Sequence, residues 1–583
     1  MILKKATISF LTAIILFATS SACASGNADE TEYFGAGDQV GMTVNMEKAP
    51  QYIAAEKATA LARKAEFPDS TLESDQWNMS VDDKKNYVSI FLSENGSFVS
   101  GEQTDAVNVD NETNTVNITK AGYYQFIGST ERGNIIVDCE GNVRVILDGV
   151  SIKGKEGATI RFYGYGQKVL TLAENKSNFV YAPGAKPSNG ASDDVPACAI
   201  YSESDLTVNG DGSGSFIGNN EGAIVCRSTL KIKSASVEIK SKSDAVTANN
   251  AVFKNATVAI ESTAGTAVTA KRRDMLVKEG FVVVSDASVR AVSACDAIKA
   301  TDLICVNGST SVVSVCSGNG SSSVIYDEIY SRKGLNCDGC VCIMDGALYV
   351  DSLDDAIRAK EQTLLGGGFL SASTKKAAIF SDLTEFRGCI VEIARSGYGV
   401  KGCNVSVVDG LIKINANQIG INLSSAYGEY DDCALVMSGG SMDVFSRGEG
   451  IRISGKMLVN NGSLWCDSSL AADKPAVAAD EGFRVDGGRV MLCAGSGMIQ
   501  TPAIQSSQGS VAISFKNGLA ANSTVSLKYD DVVLFSREMI NKVGSLFFSC
   551  PNFSENYACS LEINGYRVRK FVVVQGFSEQ GVA

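Results

Sequence analysis

The sequence predicts an all-β fold, a right-handed parallel β-helix (a solenoid) with an N-terminal cap region and a small C-terminal β domain, and three observations predict it. A short corner signal recurs at steps of 21 to 22 residues, the segments before the corners alternate apolar and polar residues, and no helical periodicity interrupts the repeats. The composition agrees, since 57 glycines against 8 prolines in 583 residues suit short strands joined by tight turns.

Residues 1–24 read as an export signal. Lys4 and Lys5 precede an apolar stretch from Ala6 to Ala18, and the small run Ser20-Ser21-Ala22-Cys23-Ala24 closes it. Two outcomes fit: cleavage after Ala24, or a lipoprotein signal ending before Cys23, whose acylated thiol would hold the chain at the cell surface. No second apolar run is long enough for a transmembrane segment. The expectation is an exported protein, secreted or surface-anchored. Residues 25–118 do not repeat and are expected to form a tether and cap, with Glu47–Lys64 as an amphipathic helix.

Residues 119–508 carry the repeat. Its corner is a small or acidic residue, then Ala or Gly, then Ile or Val, as in Asp244-Ala-Val246, Thr266-Ala-Val268, Asp296-Ala-Ile298, Asp355-Ala-Ile357, Ala377-Ala-Ile379, Tyr398-Gly-Val400, Ile419-Gly-Ile421 and Glu449-Gly-Ile451. Gly346, Gly368, Gly410 and Gly440 each lie eleven residues before a corner apolar residue, and apolar residues follow them at two and four positions, as in Leu348 and Val350 or Ile412 and Ile414. That is a strand with one face inward. Leucine-rich and hexapeptide frames are both missing. Counting Ile160, Ile200 and Leu335 among the corners, the steps at about 4.8 Å each imply a rise on the order of 60 Å. From 509 to 583 the corner signal stops, and Phe515–Leu527, Val532–Phe535, Leu546–Phe548 and Ser560–Val574 read as strands of a separate β domain.

The stretches Asn117-Ile-Thr-Lys-Ala-Gly-Tyr-Tyr-Gln-Phe-Ile-Gly128, Val143-Arg-Val-Ile-Leu-Asp-Gly-Val-Ser-Ile152, Ala199-Ile-Tyr-Ser202 and Asp205-Leu-Thr-Val-Asn-Gly210 resemble the bacterial carbohydrate-binding domain-containing β-helix family, whose fold is related to pectate lyases. The tail, Leu546–Asn552 and Tyr557–Ser560, is similar to that family's terminal β segment. The resemblance covers about residues 85 to 575. It implies polysaccharide binding at or outside the cell envelope and calcium held by acidic corners. The chain departs from the family's Asp-Asp-Gly-Ile corners, because only Asp354-Asp355-Ala-Ile357 keeps both acids. Calcium takes six to eight oxygens, which single acids supply poorly.

The chemistry open to this chain is narrow. Without any histidine there is no Ser-His-Asp or Cys-His nucleophile and no His-containing zinc site. A net charge of −13 argues against nucleic acid as a partner. Stacked repeats place Asp244, Asp296, Asp355 and Glu449 in one column, with Asp354 beside it, and Lys299, Arg358, Lys401 and Arg452 in another. That mixed strip could hold calcium or grip a uronate chain through charge-assisted bonds; equally, it could be a solvated ladder of weak ion pairs. Tyr163, Tyr165, Tyr427 and Tyr430 are candidates for stacking on sugars. A lyase would use Asp354, Asp355, Arg358 and Lys360. Cys337-x-x-Cys340-x-Cys342 lacks a partner motif for a thiolate metal site, and Cys226, Cys316, Cys403, Cys433, Cys466 and Cys493 sit among apolar strand residues as core fillers. Cys550 and Cys559 are the disulfide candidates by loop proximity, and Asn209-Gly-Asp-Gly-Ser213 reads as a hairpin turn rather than a calcium loop. The leading expectation is a non-catalytic polysaccharide-binding protein; the alternatives are an adhesin or structural rod of the envelope and a calcium-dependent lyase.

Overall fold

The computed structural model describes residues 87–582 apart from 102–103, 184–194, 220, 274–279, 324–328, 426–432, 471–472, 504–505, 552, 554–556 and 574–575. The export signal, Cys23, the 47–64 helix, Tyr427 and Tyr430 lie outside these residues. Pro50–Ala583 forms one of the chain's two compact units, and every described residue belongs to it. The described residues are all-β, with no α-helix among them and a single 3₁₀ turn at Thr104–Ala106.

Three parallel ladders organise residues 115–494, each strand pairing with its counterpart one repeat on. The corner ladder is in register along the chain: Ile135, Ile160, Ile200, Ile224, Val246, Val268, Ile298, Leu335, Ile357 and Ile379 each pair with the next. Ile421, Ile451 and Val477 continue it. A second ladder contains Leu206–Asn209, Leu303–Asn307 and Gln362–Leu365. The third holds the strands with alternating faces, and Val237, Val258, Val289, Val313, Leu348, Leu370 and Val391 pair in turn. Ala377–Leu423 is continuous strand of 47 residues that contributes to all three ladders. Insertions that lengthen a repeat leave this register intact, because they fall between strands.

The Ala-or-Gly rule at the corners has a steric cause. The side chains of Ala245, Ala267, Ala297, Ala356 and Ala378 are fully buried. Where glycine stands instead, a third-ladder side chain crosses the space a Cβ would need: the Cβ of residue 399 would lie 2.2 Å from Ile414 Cγ2, that of 420 lies 2.2 Å from Val444 Cγ1, and that of 450 lies 2.2 Å from Cys466 Sγ. Inward residues of the three ladders make one apolar core from Val88 to Phe547.

Two turns differ from expectation. Asn209–Ser213 is not a hairpin: the strands on either side, Leu206–Asn209 and Ser213–Ile217, belong to different ladders and pair in parallel with other repeats. Gly210, at φ +111°, lets the backbone pass against the Leu172 carbonyl. The ladder ends where Arg489–Ala494 pairs antiparallel with Val543–Ser549. Beyond it, the expected strand Phe515–Leu527 is broken by Asn522 at φ +62°, and the described part of the expected strand Ser560–Val574, residues 560–573, is a hairpin turning at Asn564 and Gly565. Thr524–Tyr529, Val532–Glu538, Tyr557–Ile563 and Tyr566–Val573 form a separate four-stranded antiparallel sheet. Cys550 and Cys559 are thiols buried in the apolar cluster of this region, not a disulfide. Cys550 directly follows the strand Val543–Ser549 and Cys559 lies within Tyr557–Ile563; burial pushes the Cys559 thiol up to about 12, with Cys550 adding to the shift.

Candidate functional site

The corner ladder brings the acidic column together, and its geometry explains what the acids do. Asp244 Oδ1 accepts the amide of Thr266 at 2.8 Å, Asp296 Oδ1 accepts that of Lys333 at 2.8 Å, and Asp355 Oδ1 accepts that of Ala377 at 3.0 Å. In each case the donor is the residue at the same corner position one repeat on. The second oxygen reaches the neighbouring column, to Thr269 Oγ1 from Asp244 and to Asn336 Nδ2 at 2.7 Å from Asp296. Asp296 also accepts from Ser331 Oγ at 2.6 Å and is 2% exposed. The carboxylates therefore tie one repeat to the next by charge-assisted bonds to otherwise orphaned amides. Glu449 is half-buried at the same position and uses its backbone carbonyl for the Gly420 amide.

Asp354 is the exception that pairs with bases, with Lys333 Nζ at 2.8 Å and Lys376 Nζ at 3.3 Å. Burial opposes its ionisation, but the Lys333 hydrogen bond and charge, joined by Lys376, outweigh it and hold the carboxyl below the usual range. Burial, and then the Asp354 charge, push the neighbouring Asp355 up. These donor sets do not fit calcium. The aspartate oxygens are engaged by amides and hydroxyls, two ammonium groups flank the only double-acid corner, and no group of three or more Asp, Glu or Cys suited to a metal occurs among the described residues. The Cys337-x-x-Cys340-x-Cys342 thiols diverge likewise: Cys337 faces the main core, while Cys340 and Cys342 face a separate cluster with Leu303 and Cys305.

The opposing shifts have a pH consequence. The raised pKa of Asp355 is a penalty absent below the ordinary carboxylate range and fully present above the folded pKa. Asp355→Asn keeps the acceptor for Ala377 and removes that charge. We expect the variant to melt higher than the parent at neutral pH, and the advantage to fade as the pH falls through the carboxylate range, as read by thermal unfolding at a series of pH values.

The basic column is less buried than the acidic one. Lys299, Asn336, Arg358 and Phe380 are successive register partners. The Arg358 guanidinium lies 3.4 Å from the centroid of the Phe380 ring, and Lys401 Nζ sits 4.8 Å from the same centroid and 5.4 Å from that of Tyr398. Lys299 is exposed, and Arg358, Phe380, Tyr398 and Lys401 are half-buried. Arg452, further along the column after Asn422, pairs with Asp480 at 3.0 Å. The result is a strip in which cation, ring and cation alternate, each contact worth about 0.5–2 kcal/mol. Phe380 and Tyr398 escaped the sequence reading, although Phe380 holds the column position between Arg358 and Lys401 and column membership alone would have found it.

Tyr163 and Tyr165, read from sequence as stacking candidates, lie elsewhere. Between Arg161 and Lys299 the column runs through Tyr201, Val225, Thr247 and Thr269, so Tyr163 is about 24 Å from Lys299 and about 34 Å from Arg358 along the ladder. Tyr163 is half-buried with its ring 6.0 Å from that of buried Tyr201, whereas Tyr165 is 83% exposed. Lys360 is paired with Asp338, so the four groups that a lyase would draw on face different partners.

The fold and strip thus define an all-β protein of parallel-laddered repeats that displays alternating cations and aromatic rings along one edge. Residues 112–378 match the model of the family described as carbohydrate-binding domain-containing protein, and the resemblance read from residues 117–210 is borne out over that span. A curated protein of the same description from Acetivibrio thermocellus is 31% identical over 144 residues, 23% of this chain, and the match spans only half of that relative's length. A solved structure, the polysaccharide lyase-like protein from C. thermocellum as a gadolinium derivative, aligns over 44% of this chain and 96% of its own with a TM-score of 0.37 and 22% identity. No helix among the described residues is long and apolar enough to cross a membrane.

Proposed function

We propose that the three parallel ladders wind as a right-handed parallel β-helix and that the chain is an exported, non-catalytic polysaccharide-binding protein, secreted or anchored through Cys23. The observation that carries this reading is the stack of Arg358, Phe380, Lys401 and Tyr398 on the corner ladder. Sugar rings bind through stacking on aromatic faces, and uronate carboxylates pair with guanidinium and ammonium groups. A strip that offers both at the strand repeat suits an extended acidic chain. The family match supports carbohydrate as the ligand class. Against catalysis stands the engagement of Asp354, Asp355, Arg358 and Lys360 with separate partners.

The protein is acidic overall, with a net charge of −13, so attraction to a polyanion is confined to the strip and screened by salt. The test is a panel of acidic and neutral polysaccharides incubated with the full chain, with calcium or with EDTA, scoring both binding and chain cleavage. Binding to acidic members that weakens with salt and ignores EDTA is expected. Cleavage with unsaturated products would overturn the reading in favour of a lyase, and no binding to any member would favour a structural rod.

A further inference from the structure

The thiols of this chain are not equivalent. Burial holds those of Cys198, Cys226, Cys337, Cys389 and Cys466 far above the ordinary range, and those of Cys342 and Cys493 well above it too. Since the thiolate is the reactive form, these side chains are inert fillers. Cys403 and Cys433 form a close pair. Cys403 Sγ and Cys433 Sγ are 2.8 Å apart. Even two carbon atoms sit at best about 3.5–4.0 Å from each other, and sulfur is larger; a disulfide bond measures about 2.0 Å.

The backbone suits the bond as well. Each cysteine directly precedes a member of the Asn404↔Ala434 register pair of two adjacent parallel strands, Cys403 within its strand and Cys433 at the entry to the other. Strands lie about 4.8 Å apart, within the Cα separation a disulfide spans. The Asn404 side chain reinforces this register by accepting the Ala434 amide at 3.1 Å, and the Cys433 carbonyl accepts the Lys456 amide at 3.0 Å. Cys433 is buried, but Cys403 is only half-buried, which gives an oxidant one sulfur to reach.

We propose that Cys403 and Cys433 are an oxidation site, closing to an intrachain disulfide that staples two successive repeats beside the cation and ring strip. The bond lies two residues beyond Lys401, whose ammonium contacts Phe380 and Tyr398. The chemistry is thiol–disulfide exchange with a small-molecule disulfide. One thiolate attacks the oxidant to give a mixed disulfide, and the second thiolate displaces the remaining half. One S–S bond forms in the protein, the oxidant's S–S bond breaks, and the two thiol protons end on the two reduced thiols released.

The test is peptide mapping of the full chain after incubation with oxidised glutathione, followed by alkylation and trypsin without reduction. Cleavage after Lys401, Lys413 and Arg447 places the two cysteines on peptides 402–413 and 414–447. The expected product is these two peptides joined, lighter by two hydrogen atoms than their sum and separated by reductant. In Cys403→Ser the linked species is lost, while the protein keeps the β-rich circular dichroism of the parent. Recovery of 402–413 and 414–447 as separately alkylated or separately glutathionylated peptides, or linkage of either to a third cysteine, would overturn the proposal.

Discussion

Replacing Gly420 with valine is expected to cost about 3 kcal/mol or more, at the upper end of overpacking penalties. Even a single Cβ at this corner would stand 2.2 Å from Val444 Cγ1 and 2.6 Å from the Gly450 carbonyl oxygen. Neither obstacle is the free end of a flexible side chain. Val444 is 0% exposed and paired with Ile414 and Cys466 in the third ladder, and the Gly450 carbonyl accepts the Ile421 amide at 3.0 Å. The corner must therefore widen, and the register of two ladders widens with it. Gly420→Ala should produce a smaller effect in the same direction. Gly581, where a Cβ would meet nothing within 4 Å, is the matched control, and Gly581→Ala should leave the transition unchanged. Thermal and urea unfolding followed by circular dichroism read these differences; equal midpoints for the two glycine-to-alanine variants would contradict the steric account of the corner.

Asp296→Ala is the second large effect, expected at about 3 kcal/mol. Asp296 accepts the Lys333 amide, the Ser331 hydroxyl and the Asn336 side-chain amide, and so fastens the chain as it returns from the 37-residue step between Ile298 and Leu335. Alanine removes all three acceptor bonds and leaves a buried amide without a partner, which costs about 1–3 kcal/mol on its own. Asp296→Asn retains an acceptor for Lys333 but opposes a donor to Asn336, and should lose roughly 1 kcal/mol. A repeat array need not unfold in one step, so the decisive readout is hydrogen exchange across 331–337, with faster exchange in the alanine variant. EDTA should change neither parent nor variant. A parent that melts lower in EDTA, with Asp296→Ala insensitive to it, would reinstate the acid as a cation ligand.

These cases mark how far the sequence carries. The corner ladder was legible because a small residue followed by Ile, Val or, at 335, Leu recurs at each repeat, and the paired residues from Ile200 to Ile379 are the ones the spacing identifies. Even the interchange of Ala and Gly has its cause in what crosses behind the corner. The role of the acids was not legible. A column of aspartates looks the same whether it faces a cation, a row of lysines or the backbone amides of the next repeat, and only the geometry at Thr266, Lys333 and Ala377 distinguishes them. Phe380 was missed for a different reason. A column defined by charge leaves out the aromatic residue that joins Arg358 to Lys401, while Tyr163 and Tyr165, which stand out by local context, lie on another part of the ladder. The C-terminal strands were found but not divided, since Asn522 and Asn564 are turn residues that a run of apolar neighbours hides.

The proposed binding of an acidic polysaccharide rests on the strip at Arg358, Phe380 and Lys401. Titration calorimetry of polygalacturonate into the full chain, comparing the parent with Arg358→Ala/Lys401→Ala in EDTA, tests it most directly. Both side chains are at least partly exposed, so the double variant should keep the parent's fold by circular dichroism. The account predicts a loss of affinity of about tenfold or more, equivalent to about 1.4 kcal/mol or more, with a shallower dependence on salt. Undiminished affinity and an unchanged salt dependence in a folded double variant would contradict it.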